Sequence, residues 1–256
     1  GKSIVFGYND YVPKSKDVIY IKCSTEEQLL TKFLKAWNYF EPDVVTGWNV
    51  EFFDIPYLYN RISRILDVKK ANELSPWNNV RQKQVEMNGR INNVYTIVGV
   101  TILDYMQLYR KFSFSQQESY RLDHIASIEL GERKVEYNEY DNLHDFYLKN
   151  FERFIDYNIQ DVELLVRMEN KLQFFKIIRM LAYKGLTSFE AALGKVSIVT
   201  GCVALEAYKH GMVIPTFVDG AHREAIEGGY VRDPERGLKT AIVSYDANSL
   251  YPNTII

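Results

Sequence analysis

A run of five residues, Val44-Val45-Thr46-Gly47-Trp48, constrains the fold of this chain more than any other stretch. It reads as a buried strand, and a buried strand needs other elements packed over it. The helix before it is marked at both ends. Ser24, with Glu27 three residues on, makes a capping box, and Glu41-Pro42-Asp43 breaks the helix. Between those signals Leu29, Leu30, Phe33, Leu34, Trp37 and Phe40 recur at a 3.6-residue period, which predicts one apolar face. Beyond the strand, Asn49–Asp54 is the loop leaving its carboxyl end. Pro56 fits the first turn of a helix running to about Leu66.

The same reading extends along the chain. Ser3–Tyr8 and Val18–Lys22 are short strands, and Lys69–Asn79 is a polar connection. Asn88-Gly89 is a two-residue hairpin turn between strands Val80–Met87 and Arg90–Val98. Thr101–Leu103 continues the β-rich stretch up to Asp104. Arg121–Leu130 is helical, with Gly131 just past its end. One long helix is expected from Phe151 to about Tyr183, a second from Ser188 to His210, and a strand over Lys239–Asp246. Strands and helices mixed in this order predict a mixed α/β class.

Composition narrows the function. The chain has 256 residues, 31 Lys+Arg against 33 Asp+Glu, and a formal charge of -2, which excludes a histone-like or basic-tail binder. A local basic groove remains open, and Arg81, Lys83, Arg90, Arg110 and Lys111 are its candidates, with solvated surface as the plain alternative. Cys23 and Cys202 sit far apart and outside any metal-binding spacing, so neither a disulfide framework nor structural zinc is expected. His124, His144, His210 and His222 show no metal spacing. No apolar run approaches the ~20 residues of a membrane span.

Three acids stand apart. Asp54 closes the loop after the buried strand, Asp161 lies one helical turn beyond Tyr157, and Asp246 ends an apolar run. Carboxylates at strand ends are the hard oxygen ligands that magnesium takes. Each alone is equally a turn residue or helix cap. Tyr157 and Asp161 share one helix face, where a phenol beside a metal-bound carboxylate can hold a water, or where both can simply pack and be solvated.

Together these segments resemble the family B DNA polymerases, and within them the replicative polymerases of T-even-type phages. Asn49-Val50-Glu51-Phe52-Phe53-Asp54 resembles the second exonuclease motif, Tyr157-Asn158-Ile159-Gln160-Asp161 the third, and Asp246-Ala247-Asn248-Ser249-Leu250-Tyr251-Pro252 polymerase motif A. The stretches Thr46–Asn60 and Leu103–Phe114 carry the likeness between them. The resemblance implies a ribonuclease-H-like 3′→5′ exonuclease domain over residues 1–175, a helical connecting segment over 176–217, and the start of a polymerase palm over 218–256. It implies two magnesium ions (or manganese) per active site, held in part by Asp54, Asp161 and Asp246, with Tyr157 positioning water. Asn49, Phe53, Gly228 and Gly229 would touch DNA. Ser249, Leu250 and Tyr251 would hold the incoming nucleotide, Tyr251 excluding a 2′-hydroxyl. Asp54 and Asp161 are then expected close together at the edge of one mixed sheet, with Asp246 in another lobe.

The same resemblance implies single-stranded and primer-template DNA, deoxynucleoside triphosphates and a sliding clamp as partners, no membrane, and the cytoplasm of an infected host as location. It is incomplete. The first exonuclease motif, Asp-x-Glu on an early strand, is missing: Asp161-Val162-Glu163 and Asp233-Pro234-Glu235 lack that context. The second polymerase acid motif is missing too. Glu227-Gly228-Gly229-Tyr230 resembles the loop that links the two activities, but Ile226 stands where Tyr is usual. The expectation is a piece of a longer polypeptide holding half of each metal site. The alternative is a catalytically silent nucleic-acid-binding module of the same fold.

Overall fold

The computed structural model describes residues 1–87, 89–131, 140, 142–215 and 228–255. The chain divides into two units, Gly1–Ile214 and Pro215–Ile256. The first is a mixed α/β unit. Strands β1 (Ser3–Gly7) and β2 (Val18–Lys22) pair in parallel, with Ser3 opposite Val18. Helix α1 (Glu26–Phe40) follows, then β3 (Val44–Gly47), α2 (Asp54–Ile65) and a short α3 (Val68–Asn72). The hairpin β4 (Val80–Met87) and β5 (Arg90–Ile97) is antiparallel, Met87 opposite Arg90, as the turn signal predicts. Asn88 itself lies outside the described residues. β6 (Thr101–Asp104) then runs parallel to β3, placing Asp104 beside Gly47. Helices α4 (Tyr105–Phe112), α5 (Leu122–Leu130), α6 (Leu143–Lys149), α7 (Phe151–Leu172), α8 (Phe174–Gly185) and α9 (Lys195–Lys209) complete the unit.

One mixed sheet is not what the described strands form. They make three two-stranded ladders, β1–β2, β3–β6 and β4–β5. A sheet grows only where a neighbouring strand presents matching amides and carbonyls, and no described strand meets the outer edges of β1 or β3.

Other expectations shift for local reasons. The cap of α1 is Thr25, whose side chain accepts from the Gln28 amide, while Gln28 Oε1 accepts from the Ser24 amide at 2.7 Å. The box is therefore Thr25 with Gln28, one residue later than the Ser24–Glu27 pairing. Three helices of five to eight residues, α3, α4 and α6, were not expected. Each is capped by a side chain, Asp67, Asp104 and Asn142. The long helix breaks at Gln173, in the left-handed region at φ 54: its amide closes α7 on Glu169 O, and the Glu169 carboxylate accepts the Phe175 amide at the start of α8. The helix from Ser188 begins only at Lys195, because a single 3-10 turn, Ala191–Leu193, comes first, with Ser188 Oγ accepting the Ala191 amide, and Gly194 is the cap residue of α9. α9 crosses α8 so closely that a Cβ on Gly201 would lie 1.6 Å from Gly185 O, which only glycine permits.

The cores position the ends of β3 and β6. Leu30, Leu34, Val50, Ile55, Ile62, Leu74 and Ile97 close one side. Leu103, Tyr105, Tyr109, Ile125, Met168, Phe174 and Ile178 close the other. Among the described residues no helix is long and apolar enough to cross a membrane.

In the second unit the strand over Lys239–Asp246 is absent. The described residues there include no partner ladder, and an unpaired apolar run in water has nothing to hold it extended. Helix α10 (Leu250–Ile255) follows a turn at Asn248-Ser249, with Ser249 at φ 50. Ile226 and Glu227 lie outside the described residues, and so does His222.

Candidate active site

The carboxyl ends of β3 and β6 lie side by side, the place where parallel strands of α/β proteins present their chemistry. The chain leaves β3 through Trp48, whose ring packs near Tyr105 and Tyr109 and whose indole N–H donates to Tyr120 O at 3.0 Å. Asn49 then turns into the left-handed region at φ 64, which asparagine tolerates better than most residues. Val50 is buried, and the turn closes as Phe53 N donates to Asn49 O and Ile55 N to Val50 O, both at 3.0 Å. That turn runs directly into α2, so Asp54 is the first residue of a helix.

Asp104 lies beneath this turn, 3% exposed. Its Oδ1 accepts from the amides of Asn49 (3.2 Å), Met106 (3.0 Å) and Gln107 (3.4 Å), and its Oδ2 from the amide of Glu51 (3.3 Å). Glu51 Oε2 in turn accepts from Gln107 Nε2 at 2.6 Å. Three carboxyls thus sit around one strand end. Burial pushes the Asp104 carboxyl up, against four backbone amides that favour its charge. Burial raises Glu51, with the charges of Asp104 and Glu190 adding and the Gln107 bond opposing. Asp54 is raised first by burial and then by Asp104, its own amide opposing; the residue is exposed as a whole, but its carboxyl is partly stripped of water. Asp54 Oδ2 lies 3.9 Å from where a Gly47 Cβ would be, against the strand end itself.

Phe53 and Tyr57, one turn apart on the exposed start of α2, hold their rings nearly parallel (10°) with centroids 6.5 Å apart. Such a flat aromatic surface suits stacking of an unpaired base. Tyr157 and Asp161 lie one turn apart on α7, both half-buried, and the Tyr157 ring meets Phe146 of α6 edge-on at 6.1 Å. α7 is anchored beside them. Asp156 accepts from Tyr11 OH at 2.9 Å and pairs with Lys14, and burial with that bond pushes the Tyr11 phenol up to about 12.

Among the described residues no three His, Cys, Asp or Glu side chains gather closely enough to hold a metal ion. Asp54 and Asp161 have the hard-oxygen chemistry magnesium takes, but the described chain does not complete a ligand set around either. In the second unit Asp246, Ser249, Leu250, Tyr251, Gly228 and Gly229 are all exposed. Two of the basic candidates are already engaged: Arg110 stacks over Tyr120 at 4.2 Å, and Lys111 donates to Leu193 O. Arg81 and Lys83 are exposed on β4.

Asp104 is the residue of this carboxyl cluster that sequence reasoning missed. Its signal was present, since Asp104 with Gln107 three residues on is a helix-start pattern, hidden by the end of a strand.

Residues 4–125 match the family model described as DNA polymerase family B, exonuclease domain. The chain is 33% identical over 239 residues to a DNA-directed DNA polymerase of Escherichia phage RB69, covering 93% of this chain and 26% of that protein. It is 30% identical, with the same coverage, to the DNA-directed DNA polymerase of Enterobacteria phage T4. It is 29% identical over 275 residues to the DNA polymerase delta catalytic subunit of Schizosaccharomyces pombe, covering 98% of this chain and 25% of that protein. The chain thus spans about a quarter of the length of these relatives.

Proposed function

We propose that the chain, whose residues 4–125 match the family model of the family B DNA polymerase exonuclease domain, serves proofreading: removal of nucleotides from a 3′ end of DNA within a replicative polymerase. The observation that carries this is the carboxyl end of β3, where the partly desolvated carboxyl of Asp54 stands beside an exposed, parallel pair of aromatic rings. Phe53 stacks on a base of the frayed strand, Asn49 contacts the same strand, and Asp54 faces the terminal phosphate. Asp54 and Asp161 each offer an oxygen to a divalent cation, magnesium or manganese, with further carboxylates from outside the described residues. When bound, two such ions would supply an activated water and offset charge on the leaving oxygen. Tyr157 holds that water in line.

The second unit serves the polymerase activity of the same protein. There Asp246 offers a cation ligand, Ser249 and Leu250 contact the triphosphate, Tyr251 senses the sugar, and Gly228-Gly229 lies against template. Primer-template DNA, deoxynucleoside triphosphates and a sliding clamp are the partners, in the cytoplasm of an infected host. A silent nucleic-acid-binding module is the second reading. It is favoured by one observation: among the described residues no three His, Cys, Asp or Glu side chains gather closely enough to hold a metal ion.

The test is digestion of 5′-labelled single-stranded DNA by the full natural polypeptide that contains these residues. Magnesium-dependent shortening from the 3′ end is expected, lost by at least about 100-fold in Asp54→Ala and in Asp161→Ala, and less in Tyr157→Phe. Shortening that persists in both aspartate variants overturns the exonuclease assignment. No shortening by the wild type, with single-stranded DNA still bound, supports the silent module.

A further inference from the structure

We propose that Asp104 is a positioning residue of the exonuclease site, a buried carboxylate that grips the backbone of Asn49 and Glu51 and so fixes where Asp54 stands. This rests on the exonuclease reading and adds to it a residue outside its motifs.

The geometry has three parts. The first is the partner set. All four groups that donate to Asp104 are backbone amides, two from the loop after β3 and two from the first turn of α4. Among the described residues no Lys, Arg or His pairs with it, so its charge is met by main-chain dipoles alone. The second is the shape of the loop. With Asn49 left-handed, the amides of Asn49 and Glu51 face one carboxylate and donate to one oxygen each, the concave arrangement that binds anions. Here the anion is supplied by the protein itself. The third is the direct continuation into α2. Asn49 O and Val50 O accept the amides of Phe53 and Ile55, so the backbone that Asp104 holds also directs the start of the helix bearing Asp54.

A cap of α4 alone would need only the Met106 and Gln107 amides. The bonds to Asn49 and Glu51 reach back more than fifty residues, and the Gln107–Glu51 side-chain bond repeats the connection from the same turn. One helix start therefore grips the loop three times. A role as cation ligand fits less well, because the carboxylate is 3% exposed and both its oxygens already accept amides.

The two oxygens allow a selective test. In Asp104→Asn the carbonyl oxygen can keep the three bonds of Oδ1, while the new amide faces the Glu51 N–H donor to donor. The α4 cap survives and the loop bond to Glu51 is lost. In the 256-residue chain, hydrogen exchange should quicken at the Glu51 amide at least about 10-fold while Met106 and Gln107 stay protected. In the full natural polypeptide, kcat for single-stranded DNA digestion should fall about 10- to 100-fold, the range that small misplacements cost. The magnesium concentration for half-maximal rate should stay unchanged.

Asp54→Ala runs beside it. Activity lost in Asp54→Ala but intact in Asp104→Asn overturns the positioning role and leaves the exonuclease reading standing. Activity intact in Asp54→Ala removes the exonuclease reading itself, and the positioning role with it. Rescue of Asp104→Asn by excess magnesium makes Asp104 a ligand and overturns the proposal. Should Asp104→Asn not fold, Gln107→Leu decides: it removes the second tie to Glu51 without touching the carboxylate. A several-fold lower kcat at unchanged magnesium requirement supports the role, and an unchanged kcat overturns it.

Discussion

Two segments of the chain begin alike and end differently. Val44–Gly47 leads to a left-handed Asn49 and then to α2, and residues 241–245 lead to a left-handed Ser249 and then to α10. Each carries one of the acids expected to bind metal. The first run is a strand, hydrogen-bonded to β6 with Val45 packed against one core, although Val44 and Thr46 are exposed and the strand is not the fully buried one expected. The second forms no strand and is exposed throughout. Their apolar character is similar, so the difference lies in the neighbours. β3 has a parallel partner and a buried carboxylate below its loop, and among the described residues 241–245 has neither. An apolar run becomes a strand when another strand satisfies its amides and carbonyls, not because of its own composition.

The contrast can be broken most directly through packing. Leu103→Ala in β6, a residue 1% exposed, should cost about 2–5 kcal/mol in urea unfolding. Val243→Ala, at 73% exposure, should change it by less than about 0.5 kcal/mol. A comparable loss from Val243→Ala would mean that the second run is packed after all. Next in size is Trp48→Phe. It leaves Tyr120 O without its indole donor and should lower stability by about 1–3 kcal/mol in the same assay. No loss would mean that this bond does not hold the loop. The two left-handed residues give a smaller effect. Asn49→Ala should cost about 1–2 kcal/mol from its φ of 64, with Asn49→Gly near neutral, whereas Ser249→Ala should leave cooperative unfolding unmoved. Equal effects at both positions would erase the difference between the segments.

The smallest effect is electrostatic. Glu51 and Asp104 have carboxyls raised above their ordinary values, chiefly by burial. A raised acid binds its proton more tightly in the folded state, so the contribution of these two groups to stability is greatest below their ordinary values and falls as pH rises through the folded value. Glu51→Gln removes one of the charges that face each other across Glu51, Asp104 and Glu190. It should raise Tm slightly at pH 7, with the gap closing below about pH 4. A lower Tm at pH 7 would mean that the Gln107 bond outweighs burial.

What the residues disclosed depended on distance along the chain. α1 and the β4–β5 hairpin were readable because period and turn chemistry are local. The break at Gln173 was not, since glutamine carries no turn preference and its left-handed φ is imposed by Glu169 capping the next helix. The short helices α3, α4 and α6 span too few residues for a period, though each cap was visible as an Asp or Asn. The site divided in the same way. Asp54 was singled out by motif resemblance. Asp104 touches the loop only through space, and no local pattern joins it to Asn49.

That separation has a consequence during synthesis. The ladder sets Gly47 against Asp104, 57 positions later. At about 5–20 residues per second, β3 and the start of α2 leave the ribosome roughly 3–10 s before β6 does. Throughout that interval the Asn49–Glu51 amides have no carboxylate to converge on, and Val50 and Ile55 have only part of their core. The segment bearing the acid is therefore made early and shaped late, and the nascent chain waits for its own residue 104 before this turn can settle.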